Sequence, residues 1–199
     1  MYKNKLIEVF TEYYHGILEI PLAEHHCHNF QIPQNIEEIL QVLERLGERK
    51  FNHFVELGIA HGGSLWIYSH MLCKPNSKIT AIDPSETPEQ RFTCNKLKQR
   101  YKNFIRIKGY SEKVIKQVSG DIDLLHIDAD HKFDSVLRDF HQWFPKVISG
   151  GVILMHDTQS LDGPKRVLER VTREQGELGI SYIFNTQACS PLGITLIKK

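Results

Sequence analysis

Phe54-Val55-Glu56-Leu57-Gly58-Ile59-Ala60-His61-Gly62-Gly63-Ser64 is the stretch whose reading decides the fold. A short apolar run ends in a glycine-rich turn, and the amphipathic stretch Ser64–Leu72 follows at once. Strand, tight turn and helix in that order open a βαβ unit. The rhythm continues along the chain. Ile79–Ile82 precedes Glu89–Arg100, Phe104–Ile107 precedes Ser111–Val118, Ile122–Ile127 precedes Phe133–Phe144, and Val152–Met155 precedes Pro164–Gln175. Such alternation implies right-handed crossovers and a mostly parallel sheet with helices on both faces. Two closing runs, Ile180–Phe184 and Gly193–Ile197, have no helix-length segment between them and are expected to pair antiparallel at one edge. Upstream, Lys5–Tyr14 reads as one amphipathic helix. A second runs from the cap Asn35 through Ile36, Ile39, Leu40, Leu43 and Leu46 to Gly47. The expectation is one α/β domain, with its sheet over 51–199 and a helical N-terminal extension over 1–50 on the substrate side.

The 199 residues, 41% of them hydrophobic, suffice for a core and exclude a disordered tail or a coiled coil. Twenty-five Lys+Arg against 24 Asp+Glu leave a charge of +1, which argues against a dedicated nucleic-acid binder. No apolar stretch approaches the roughly 18 residues that span a bilayer. Glu8 and Glu12 interrupt the first apolar pattern, so it is not a signal-peptide core. Cys27, Cys73, Cys94 and Cys189 form no CxxC pair and read as reduced thiols of a cytoplasmic protein.

In open parallel sheets ligands bind beyond the carboxyl ends of the strands, where strand order reverses. The chemistry is therefore sought there. Gly58 and Gly62 permit a tight turn and close approach of a ligand, though glycine could equally serve the turn's sterics. Ser64 and the free amides of the following helix can receive a carboxylate, and the acidic Glu56 suits a cationic or amine-bearing ligand. The spacing ExGxxxGG is not GxGxxG, which leaves a pyrophosphate cradle poorly supported. Asp83 closes the second strand, 25 residues beyond Gly58, where it can accept hydrogen bonds from ribose hydroxyls or cap the next helix. The fourth strand delivers Asp128, Asp130 and His131 to the same rim, and the fifth delivers His156 and Asp157. Two carboxylates and a histidine from adjacent strand ends could bind one divalent cation, Mg²⁺ or Mn²⁺. The bland alternative is a helix cap at Asp128 or Asp130 and a surface His131. Glu24-His25-His26-Cys27-His28 reads as a lid or plain loop, His61 as a bystander or a group facing the ligand site, and His126 as a core histidine. Trp66, Tyr68 and Trp143 read as core, and Lys165 and Arg166 as an anion contact or a solvated helical turn.

Glu56–Leu65 resembles the nucleotide motif of class I S-adenosylmethionine-dependent methyltransferases. Asp83, Gly109-Tyr110-Ser111, Ile127-Asp128-Ala129-Asp130-His131 and Gly150–Thr158 extend the likeness over Gln31–Lys199. Within the class it is most similar to the cephalosporin-hydroxylase-like branch and related small-molecule and sugar O-methyltransferases. The resemblance implies a Rossmann-like seven-stranded sheet in the order 3-2-1-4-5-7-6 with the last strand antiparallel. It implies S-adenosyl-L-methionine as cofactor, with Glu56, Gly58, Gly62 and Ser64 at the methionine end, Asp83 at the ribose, and Tyr110 and Ser111 at the adenine. The acid often found in that last turn is missing here. In metal-using relatives the ligands fall at Asp128, His156 and Asp157, with histidine here replacing an acid, and a base falls at His131. An unperturbed imidazole pKa of about 6.5 suits that base. Asp128 and His131 are thus the expected catalytic pair. The expected activity is O-methylation of a small-molecule or sugar hydroxyl with a divalent cation, without nucleic acid or membrane. A metal-dependent hydrolase or lyase using the Asp/His rim, and a non-catalytic binding protein of the same fold, are the rivals. The N-terminal helices could pack on their own domain or on a second copy, so a homo-oligomer stays open.

Overall fold

β1 (Phe51–Leu57) is buried at every position except Asn52, because it lies mid-sheet with helices on both faces. It pairs in parallel with β2 (Cys73–Asp83) on one side and with β4 (Ile122–Ile127) on the other. β3 (Asn103–Lys108) adds in parallel beyond β2, and β5 (Val147–Met155) beyond β4. β7 (Ile194–Lys198) enters antiparallel between β5 and the edge strand β6 (Gly179–Ile183). The seven-stranded order is 3-2-1-4-5-7-6, as the resemblance implied. This computed structural model describes residues 2–18, 35–175, 179–183 and 192–199. The His25-His26-Cys27-His28 segment and Cys189 lie outside the described residues. Cys73 and Cys94 are buried free thiols.

Strand residues alternate between two cores, as the pleat requires. Phe54, Leu124, Val152 and Leu154 face one cluster, which is covered by α1 (Tyr2–Leu18), α2 (Ile36–Leu46), α3 (Gly63–Leu72) and α4 (Pro88–Arg100). Val55, Leu125, Ile153 and Met155 face the other, beneath α5 (Ser111–Val114), α6 (Phe133–Trp143) and α7 (Asp162–Gln175). Trp66 and Tyr68 lie in the first cluster and Trp143 in the second. The Asn35 side chain accepts from the Glu37 amide at 3.0 Å, and Gly47 ends α2 at φ 58. α1 lies over α3, where the Trp66 indole donates to the Val9 carbonyl at 3.0 Å. Leu6, Val9, Ile39 and Leu43 join Phe54 and Leu65 in one cluster, so the extension shares the core of the sheet. The stretch expected as a helix over 111–118 is one α-turn followed by a 3-10 turn over Ile115–Gln117. Among the described residues no helix is long and apolar enough to cross a membrane.

The chain leaves β1 toward the first core and leaves β4 toward the second, which opens a crevice between neighbouring strand ends. The Asp128 amide donates to the Leu57 carbonyl at 2.9 Å and locks the two ends together. At φ +86, a Cβ on Gly58 would stand 2.0 Å from the Asp128 carbonyl oxygen. Gly120 has nearly the same backbone, φ +87, with nothing within 4 Å. Gly120→Ala should therefore cost about 1 kcal/mol, the ordinary penalty of a side chain in the left-handed region. Gly58→Ala should cost at least about 2 kcal/mol more, because backbone must shift. Urea unfolding of the two variants measures the difference.

Candidate functional site

A cavity of about 720 Å³ opens over the carboxyl ends of β1, β2, β4 and β5. Of the residues expected at the site, Gly58, Asp83, Tyr110, Ser111, Asp128, His131, His156 and Asp157 line it. Glu56, Gly62 and Ser64 do not, and neither do His61, Lys165 and Arg166. Strand register explains Glu56: it shares the face of Phe54 and points beneath α3 rather than up to the rim. There it is fully buried, accepts from the Ser64 hydroxyl, and meets His126 Nδ1, its cross-strand neighbour on β4, at 3.2 Å. Burial pushes the Glu56 carboxyl up, against the pull of His126 and Ser64. Gly62 sits on Thr93, whose side-chain atoms lie 2.7–2.8 Å from where its Cβ would be.

Asp83 ties the glycine turn to the second strand. Its Oδ2 accepts from the Ile59 amide at 2.8 Å and its Oδ1 from the Ser85 amide at 2.7 Å. Thr87, not Asp83, caps α4 by accepting from the Gln90 amide at 3.2 Å. A carboxylate oxygen has lone pairs beyond one such bond, so Asp83 can still receive hydroxyl donors from the cavity it lines.

On the other wall four side chains converge. His131 Nε2 lies 3.0 Å from Asp157 Oδ2 and 3.6 Å from Asp128 Oδ1. His156 Nδ1 lies 3.4 Å from each of Asp128 Oδ1 and Asp157 Oδ1, and neither of its buried ring nitrogens has a hydrogen-bond partner. Hydrogen bonds that its ring donates to the Asp128 and Asp157 carboxylates push His131 up to about 10. For His156 burial works downward, but the same two carboxylates overcome it and raise the imidazole to about 10. Burial works upward on Asp128 and Asp157, and the two histidines outweigh it, holding both carboxyls below their usual range. His131 therefore carries its proton at neutral pH, unlike the unperturbed imidazole expected from sequence. Among the described residues the compact donor set is Asp128, His131 and Asp157, whose ligand atoms lie within 4.8 Å of one another. That set has His131 where His156 was expected. His156 is the buried neighbour beneath it.

Two features of the site left no sequence signal of their own. A Cβ on Gly163, at the start of α7, would stand 2.0 Å from the His131 carbonyl oxygen, so glycine lets α7 back the His131 loop. Asp139, mid-way along α6, accepts from the Ser111 hydroxyl inside the cavity wall. Helical spacing marks Asp139 only as one more polar position.

Residues 55–158 match a family model described as a methyltransferase domain, just over half of the chain. The chain belongs to that methyltransferase-domain family. It is similar to uncharacterized protein R132 of Acanthamoeba polyphaga mimivirus, 27% identical over 166 residues that cover 77% of this chain and 74% of that protein. Among solved structures, it resembles the O-methyltransferase TomG of Streptomyces achromogenes, involved in tomaymycin synthesis and solved in complex with SAM. The TM-score is 0.66 at 15% identity, over 96% of this chain and 90% of that one. An rRNA methylase from Streptococcus thermophilus matches with a TM-score of 0.61 at 16% identity, over 85% of this chain and 98% of that one. At such identity these likenesses concern the fold. An O-methyltransferase and an rRNA methylase both carry it, so the methyltransferase fold alone leaves the acceptor class undecided.

Burial pushes the Asp139 carboxyl up to about 6, with Ser111 and Arg138 pulling it down and Glu112 and Asp130 reinforcing the rise. The folded protein thus holds this proton more tightly than the unfolded chain does. The resulting stabilisation is fully present below the unfolded carboxyl pKa of about 4 and is lost as pH rises through about 6. Relative to Asp139→Asn, the wild type should lose up to about 3 kcal/mol between pH 4 and pH 7. Urea unfolding at stepped pH reads the slope.

Proposed function

We propose that the protein transfers a methyl group from S-adenosyl-L-methionine to a hydroxyl oxygen of a small molecule or sugar, with a divalent cation held at the rim. One observation carries the reading. The Asp128, His131 and Asp157 donors, within 4.8 Å of one another, share a single cavity with Gly58 and Asp83 at the switch point of a methyltransferase-family sheet.

The two carboxylates fit a hard or borderline cation, and His156 Nδ1 lies 3.4 Å from each; His131 Nε2 would stay outside the ligand set, so that its lone pair can serve the acceptor proton. Mg²⁺ or Mn²⁺ bound there would make an acceptor hydroxyl easier to deprotonate. The cofactor supplies the activated methyl group. Asp83 receives the ribose hydroxyls, and Tyr110 and Ser111 border the adenine side. Asp128 and Asp157 would hold the cation on the acceptor side of the cavity. His131, half-exposed on the open side, moves the acceptor proton at Nε2. Its raised pKa is caused by the two carboxylates, so neutralising them returns the imidazole toward the range of a working base. Arg138 is the one Lys or Arg among the described residues lining the cavity, which supports an uncharged acceptor rather than a phosphate-bearing one.

Calorimetric titration of S-adenosylmethionine into chelator-treated protein, with and without added Mn²⁺, tests the assignment. Asp83→Ala should weaken cofactor binding at least about tenfold, the worth of a hydrogen bond to a charged group. Asp157→Ala should remove Mn²⁺ binding while leaving cofactor binding in place. With a hydroxylated acceptor, His131→Ala should lower kcat by about 10²–10⁴. Unchanged turnover in both Asp128→Asn and His131→Ala would overturn the mechanism. Metal-dependent hydrolysis without cofactor binding would replace it with the hydrolase reading.

A further inference from the structure

The turn that carries Asp157 is built in an unusual way. Asp157 has φ 58, a left-handed conformation that an L-residue keeps only when its surroundings impose it. Its own turn supplies two bonds: Ser160 Oγ donates to Asp157 Oδ1 at 3.1 Å, and the Leu161 amide donates to the Asp157 carbonyl at 3.1 Å. The other bonds come from the strand that returns along β5. The Thr158 amide donates to the Gly193 carbonyl at 3.1 Å, and the Gln159 and Ser160 amides donate to the Leu192 carbonyl at 3.1 and 3.2 Å. The Thr158 hydroxyl also meets Thr195 Oγ1 at 2.9 Å, and the three consecutive amides 158–160 all donate to the backbone of residues 192 and 193.

That backbone is held in turn by Glu38 of α2. The Glu38 carboxylate is fully buried, and both its oxygens lie 3.2 Å from the donating Gly193 amide. Gly193 has no slack on its other side: at φ +81, its Cβ would stand 2.5 Å from Gln159 Cγ. A carboxylate on the buried face of an amphipathic helix is costly unless its charge is bonded, and an apolar side chain would serve packing better there. Its retention needs a reason. The Gly193 amide, which points into the interior, supplies one.

We propose that Glu38 is a positioning residue for Asp157: it clamps Gly193, Gly193 and Leu192 hold the 158–160 amides, and that turn aims the Asp157 carboxylate at the rim. The consequence for function rests on the reading of Asp157 as a working carboxylate. The N-terminal extension then contributes to the site through a chain of backbone bonds, without touching any ligand.

Glu38→Met tests this, since it keeps the buried volume and removes the acceptor, and Glu38→Gln restores an acceptor oxygen. In the full chain, hydrogen exchange of the Thr158, Gln159 and Ser160 amides should accelerate at least about tenfold in Glu38→Met, while amides of β1 and β4 stay protected. Glu38→Gln should return near wild-type protection. Affinity for Mn²⁺ should fall about tenfold in Glu38→Met, the usual effect of disturbing a partner of a ligand, with S-adenosylmethionine affinity unchanged. Unaltered exchange at 158–160, or acceleration spread equally through β1 and β4, would overturn the proposal. Should Glu38→Met not fold, Gly193→Ala probes the same link from the other side and must loosen the same three amides. If the wild type binds no Mn²⁺, the cation reading falls, while the exchange data still decide the role of Glu38.

Discussion

Two carboxylates forced together set the terms for the rest of this site. β4 and β5 are parallel neighbours, and each places an aspartate, Asp128 or Asp157, just past its carboxyl end. Their carboxylate oxygens lie within 4.8 Å of each other, and like charges that close repel by roughly 3–4 kcal/mol at the effective dielectric of a protein surface, so the pair needs counter-charge. His131 and His156 provide it, and all four shifted pKa values are sides of that one balance. Asp157 itself sits in a left-handed turn, at φ 58.

Much of the fold was legible in the sequence because strands covered on both faces write themselves as short apolar runs. Val152–Met155 is such a run, and in the structure its side chains divide between the two cores. The strand order is different: spacing gave parallel crossovers and a closing antiparallel pair, while 3-2-1-4-5-7-6 came from the family resemblance. Asp83 at the last position of β2, and Asp128, His156 and Asp157 just past β4 and β5, were readable as rim groups, because a chain leaving a sheet exposes its next few side chains. Glu56 was not, since it lies one position inside β1 and the pleat turns it under α3 onto His126. Knowing that required the register between β1 and β4, which no local spacing encodes. Glu38 and Asp139 were silent for the same reason. Their partners, Gly193 and Ser111, lie far along the chain, and each alone is only a polar position on a helix.

The two halves of the cavity carry different kinds of information. The half built by the β1 and β2 ends is mostly backbone held in place by Asp83, and such a cradle can serve any member of a methyltransferase family. The half built by β4, α6 and the Asp157 turn is made of charged side chains, and there one acceptor can be told from another. Asp83, Glu112, Asp128, Asp130, Asp139 and Asp157 stand against the single guanidinium of Arg138 among the described lining residues. His131 and His156 stand among those carboxylates, so the wall mixes both signs of charge. The fold, shared by an O-methyltransferase and an rRNA methylase, does not choose an acceptor class, so any choice falls to this charged wall.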